Sequence, residues 1–107
     1  QINHIIAVSG SAPAYFFYFM QAMQQQAESL GFSAEEARAM VAQTALGAAT
    51  LAAESELSFA DLRAQVTSKG GTTHEAIETF KQHNLESMVK DAMYAAIRRA
   101  EEMAKTL

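Results

Sequence analysis

Apolar residues recur at three- and four-residue spacing along almost the whole of this chain, and nowhere do they alternate convincingly as a half-buried strand requires. The pattern divides into five helical segments. The first covers residues 11–30, with Pro13 in its opening turn, where a missing N–H costs little, and Gly31 just past its end. Ile5, Ile6 and Val8 are expected to form a short preceding turn. Tyr15, Phe16, Phe17, Tyr18, Phe19 and Met20 make this helix apolar on every face, so no single stripe can bury it and it must be surrounded. The run is about half the ~20 residues that a bilayer span needs. It ends in Gln24-Gln25-Gln26, which argues against a membrane span.

Ser33-Ala34-Glu35-Glu36 is a capping box, and it opens a second helix that continues to about residue 54. Its stripe, Ala37, Met40, Val41, Thr44, Ala48, Leu51 and Ala52, is mostly small, which lets helix axes approach closely. Gly47 in mid-helix costs about 1 kcal/mol relative to alanine, and implies that another helix crosses against it. Ser58 caps a short third helix over residues 59–66. A fourth is expected over 73–82, burying Ala76, Ile77 and Phe80. Asn84 is then the N-cap of a fifth that runs to about residue 105. The apolar seam of this last helix extends from Leu85 through Met88, Val89, Met93 and Ile97 to Met103. A seam of that length fits packing against a second chain as well as its own, although a monomeric helical bundle shows the same spacing. The expected fold is all-α, a five-helix bundle.

Composition narrows the functions open to such a fold. A chain of 107 residues has room for one domain. Half of its residues are hydrophobic, yet a chain this short buries only about two thirds of its unfolded surface, so surplus apolar surface is expected to go to a partner. The net charge is -4 and the basic residues form no contiguous patch, which argues against nucleic-acid binding. Without cysteine there is no disulfide, thiolate metal site or thiol nucleophile. The opening Gln1-Ile2-Asn3-His4 lacks an initiator methionine and a basic leader region, and reads as a piece of a longer protein.

Candidate chemistry concentrates in Gln65-Val66-Thr67-Ser68-Lys69-Gly70-Gly71-Thr72-Thr73. Two glycines and several hydroxyls lead straight into a helix start, where unpaired backbone N–H groups and the positive end of the dipole suit a small anion. A plain glycine turn followed by a capped helix has the same sequence: Thr72-Thr73-His74-Glu75 is itself a capping-box pattern, and Glu75 would then compete for those amides. His74-Glu75-Ala76-Ile77-Glu78 lacks the second histidine of a metalloprotease helix, so no metal site is expected. Ser9, Ser11 and Ser68 stand in no Gly-x-Ser-x-Gly elbow, and the first two are more simply helix-start residues. No Gly-x-Gly-x-x-Gly turn for a dinucleotide is present.

The stretch 59–80, with Gln65-Val66-Thr67-Ser68-Lys69-Gly70-Gly71-Thr72-Thr73 at its centre, resembles the signature of pyrroline-5-carboxylate reductase, the enzyme that makes proline. Ser9-Gly10-Ser11-Ala12-Pro13-Ala14-Tyr15 is similar to a second element of that family, Ser-Gly-Ser-Gly-Pro-Ala-Tyr, at about the family's separation. Lys69 stands where the family usually has proline, and Ala12 where it usually has glycine. The resemblance covers essentially the whole chain and corresponds to the C-terminal part of the enzyme. It implies a domain that interlocks with a second copy as a homodimer, with larger rings of dimers in some members, in a cytoplasmic enzyme. It further implies that 1-pyrroline-5-carboxylate is held here through Ser68, Gly70, Gly71, Thr72 and Thr73. The amides of Gly71, Thr72 and Thr73 would hold the carboxylate, the Thr73 hydroxyl would face the ring nitrogen, and Ser68 would steady the turn. Gln65 would lie near the nicotinamide of NADPH or NADH, bound mainly by an upstream domain. The alternatives are a helical oligomerisation module without ligand and the second domain of a related dehydrogenase.

Overall fold

In this computed structural model, which describes residues 1–106, the regular structure among the described residues is entirely helical. Helix α1 (Ile2–Ile5) passes into a π-helical segment, Ile6–Gly10, and then into α2 (Ala12–Ser29). The Ser11 N–H donates five residues back to the Ile6 carbonyl at 2.6 Å, the wide turn that defines a π-helix. The expected short turn is thus part of an almost unbroken helical run with a wide turn inside it. Ser9 is not a helix-start residue: it lies within the π segment, and its hydroxyl donates to the Ile5 carbonyl at 3.0 Å. Helices α3 (Ala34–Glu54), α4 (Phe59–Gln65), α5 (Thr72–Gln82) and α6 (Leu85–Thr106) follow. The five helices read from the sequence are α2 to α6, with ends shifted by a residue or two.

Their boundaries have identifiable chemistry. A Schellman motif closes α2, with the Phe32 N–H donating to the Ala27 carbonyl and the Gly31 N–H to that of Glu28. The capping box that opens α3 is complete: the Glu36 N–H donates to Ser33 Oγ at 3.1 Å, and the Ser33 N–H to Glu36 Oε1 at 2.9 Å. The Ser33 N–H foremost, and the Ser33 side chain after it, hydrogen-bond the Glu36 carboxylate and hold its carboxyl below the ordinary pKa. Ser58 Oγ accepts from the Asp61 N–H at 3.1 Å and caps α4. Asn84 stands at the expected N-cap position of α6, its carbonyl accepting from the Met88 N–H at 3.0 Å, but not in the usual N-cap conformation. Its φ is +60°, the left-handed conformation that stops a helix rather than the extended one of an N-cap, and its N–H donates to the Lys81 carbonyl.

The chain forms two compact units, one of residues 1–13 and 66–107 and the other of 14–65. In the first, α6 packs against the π segment, α1 and α5. Ala7 and Ala12 are buried there, and Met93, Ala96, Ile97 and Ala100 of α6 are half-buried. Of the expected buried face of α5, only Ile77 is partly covered; Ala76 and Phe80 are exposed. In the second unit, the buried residues are Ala37 and Val41 of α3. The helix expected to cross at Gly47 is not supplied by this chain: a Cβ built there meets no atom within 4 Å.

Candidate functional site

The glycine-rich stretch folds as a tight turn delivered straight into α5. The Gly71 N–H donates to the Ser68 carbonyl at 3.0 Å, closing a four-residue turn, and Gly70 in its third position has φ +75°. Lys69, in the second position, is not among the residues of positive φ. That combination is a type II turn, which needs glycine third and favours proline second. Lysine therefore stands where the turn would accept proline. A Cβ at Gly71 would run into the Ser68 hydroxyl, which would have to turn aside, and would press on the Ser68 carbonyl at 3.3 Å, so the second glycine is favoured by close approach rather than by φ, which is -86°.

Gly71, not Thr72, is the N-cap of α5, and no side chain caps this end. The capping box expected from Thr72 and Glu75 is absent because the helix begins one residue early, which moves Glu75 to the fourth helical position. Two consequences follow for the anion site. The Gly71 amide is committed to the turn and is not free for a ligand. The amides of Thr72, Thr73 and His74 find no acceptor among the described residues. Thr72 and Thr73 are exposed residues, and these donors stand at the positive end of an 11-residue helix. Ser68, Gly70, Gly71, Thr72 and Thr73 are thus gathered into one turn and helix start. Gln65 ends α4 with an exposed side chain.

Around the first turns of α5, His74 Nδ1 lies 3.9 Å from Glu75 Oε1, and its Nε2 lies 3.9 Å from Glu78 Oε1. Lys81 Nζ approaches that same Glu78 oxygen at 3.6 Å. His74 Nδ1 is shut off from solvent without a hydrogen-bond partner, a feature the sequence did not signal. Among the described residues no three histidine, aspartate or glutamate side chains are grouped as a metal site requires.

A second feature lies within residues 14–65. Phe16, Phe19 and Met23 of α2, Val41 and Ala48 of α3, and Phe59 of α4 line an open, almost wholly apolar groove of ≈ 660 Å³. Phe16, Phe17 and Tyr18 remain 70%, 67% and 76% exposed. The aromatic helix that had to be surrounded is not surrounded by its own chain. No described helix is long and apolar enough to cross a membrane.

A helical chain that leaves its largest side chains uncovered and opens an apolar groove between its helices is, as a class, a subunit-pairing module. Over residues 1–103 it matches the family described as pyrroline-5-carboxylate reductase dimerisation, and it belongs to that family. It is 55% identical over 105 residues to a pyrroline-5-carboxylate reductase of Vibrio alginolyticus, covering 97% of this chain and 39% of the relative. It is 50% identical to that of Pseudomonas aeruginosa, covering 100% and 39%. The fold superposes on a pyrroline-5-carboxylate reductase from Coxiella burnetii with a TM-score of 0.92 at 48% identity, over 95% of this chain and 38% of the other. A Plasmodium falciparum pyrroline carboxylate reductase, solved with NADP bound, shares the fold at 24% identity with a TM-score of 0.91, over 95% and 41%. The chain spans about two fifths of the length of these relatives.

Proposed function

We propose that this chain is the C-terminal, dimerising and substrate-holding domain of a cytoplasmic pyrroline-5-carboxylate reductase, which reduces 1-pyrroline-5-carboxylate to L-proline. The observation that carries the substrate reading is the type II turn that hands the chain to α5 with the amides of the exposed residues Thr72 and Thr73 unpaired. A carboxylate placed on those two amides makes charge-assisted hydrogen bonds, stronger than neutral ones, and adds the favourable dipole of the helix. Gly70 and Gly71 set the turn, and the Ser68 carbonyl closes it. The Thr73 hydroxyl then faces the ring nitrogen of the cyclic imine. If that nitrogen arrives protonated, no general base is required, and the residues of this chain act by positioning. NADPH or NADH supplies the hydride. No strand or dinucleotide turn is present among the described residues to hold such a cofactor, so it is bound mainly by another part of the enzyme, with Gln65 near the nicotinamide. The isolated chain is accordingly inactive as a reductase.

The second copy in the homodimer interlocks with this one and fills the apolar groove. The exposed Phe16, Phe17 and Tyr18 beside that groove support this. The open space at Gly47 is where the crossing helix of the partner is expected.

The exposed groove also favours a simpler reading, a pairing module with no ligand of its own. Thr73→Ala in the complete enzyme separates the two. Loss of one transition-state hydrogen bond is expected to lower kcat/KM about tenfold or more, while the urea midpoint moves little because Thr73 is exposed. An unchanged rate removes Thr73 from the site and leaves pairing as the role of this chain.

A further inference from the structure

The groove between α2 and α3 does not stay apolar along its whole length. Met20 and Val41, which line it, also line a smaller cleft whose other walls include Phe17, Gln21, Gln24 and Arg38. Arg38 is exposed there, and no carboxylate among the described residues lies within ion-pair distance of it, Glu35 one turn earlier on α3 included. An unpaired cation at the end of an uncovered apolar groove specifies what suits the groove: an apolar helical face with an acid on its edge. The chain itself carries such a face. On α6, Met93, Ala96, Ile97 and Ala100 are half-buried within their own unit, whereas Leu85, Met88 and Val89 are 37%, 52% and 46% exposed. Asp91 borders that exposed stripe, one turn on from Met88, and is itself exposed and in no ion pair. It is also the acid of α6 that its own helix cannot neutralise. The residues three and four places away are Ser87, Met88, Tyr94 and Ala95, while Glu86 has Lys90, Glu101 has Arg98 and Lys105, and Glu102 has Arg99 at 3.2 Å.

We propose that in the homodimer Arg38 of one copy pairs with Asp91 of the other, and that this pair sets the register in which the exposed face of α6 seats in the partner's α2–α3 groove. It rests on the second copy filling that groove, and adds which face fills it and what aligns the two. Two-fold symmetry makes the contact twice. Neither side chain gives up an ion pair of its own chain to form it, and an interfacial charge pair of this kind contributes specificity as well as affinity. In the complete enzyme, Arg38→Glu sets carboxylate against carboxylate at both places and raises the dimer dissociation constant about tenfold, and Asp91→Lys does the same with two cations. The two together exchange the charges and bring the constant back to within about threefold of wild type, the signature of coupled residues. Sedimentation over a series of protein concentrations reads all three. Arg38→Gln removes the attraction without adding repulsion and gives a smaller rise, which keeps the test open if Arg38→Glu does not fold. Losses that add rather than compensate in the exchanged variant, or a dimer unaffected by Arg38→Gln and Arg38→Glu, overturn the proposal. Gly47→Leu, assayed in parallel, identifies a failure of the underlying reading: if its dimer is intact, the second copy does not fill the groove and the pair falls with it. If Gly47→Leu dissociates and the exchange still fails to compensate, the pair alone is wrong.

Discussion

Single residues of the turn carry opposite kinds of constraint, and substitution separates them. Gly70 occupies φ +75°, so Gly70→Ala is expected to destabilise by about 1–2 kcal/mol through left-handed strain. Lys69 occupies a position suited to proline, so Lys69→Pro is expected to stabilise by about 0.4–1 kcal/mol by stiffening the unfolded chain. Urea unfolding of the complete enzyme checks both. A loss of stability in Lys69→Pro would mean that the turn is not of this type. The sequence made the turn legible through its glycine pair, but not the exact start of α5. Thr72 reads as the N-cap because threonine followed three residues later by glutamate is a strong local pattern. The turn closed from the Gly71 N–H to the Ser68 carbonyl instead leaves Gly71 as the N-cap, and the helix begins one residue sooner. His74 was legible only as a failed metal motif; its sealed nitrogen is a product of packing that spacing cannot show.

Among the elements, α3 is the one whose start is fixed most fully by local chemistry. Ser33→Ala should lower stability by about 1 kcal/mol, measured by the midpoint of urea unfolding. The same box gives an acid signature. The Glu36 carboxyl titrates below its ordinary value of 4.5 when folded, so the unfolded chain takes up its proton first as pH falls. The contribution of Glu36 is fully present above that value and is lost as pH drops through the lower, folded one. Glu36→Gln should flatten this part of the pH–stability curve, and a curve of unchanged slope would show that the box does not form in solution. Helix identity was legible throughout because the apolar spacing is sustained. The π segment was not, since a wide turn leaves no mark in composition, and neither was the conformation of Asn84. Asparagine is at home both in the usual N-cap conformation and in the left-handed one, and only the backbone decides between them.

For the whole molecule, the apolar content that promised a core is present, but much of it is uncovered. The buried residues among those described are Ala7, Ala12, Ala37 and Val41, and none is large. The sequence conveyed the quantity of apolar surface and that a surplus would stay uncovered; it could not convey how small the core would be, because which faces meet is decided by packing. Gly47→Leu tests this directly. A bulky side chain fits the open space of an isolated chain, but it would obstruct a helix crossing there. Sedimentation of the variant should show loss of the dimer together with a lowered melting temperature. A dimer of wild-type stability would place the interface elsewhere.

So small a buried core also bears on how the protein comes into being. If most apolar burial happens when two chains meet, refolding after dilution from denaturant should follow second-order kinetics, its half-time shortening as protein concentration rises. Abundance then helps to determine structure. At low expression, newly made chains would wait longer for a partner with Phe16, Phe17 and Tyr18 exposed, and would be correspondingly vulnerable to proteases and to adhesion with unrelated chains.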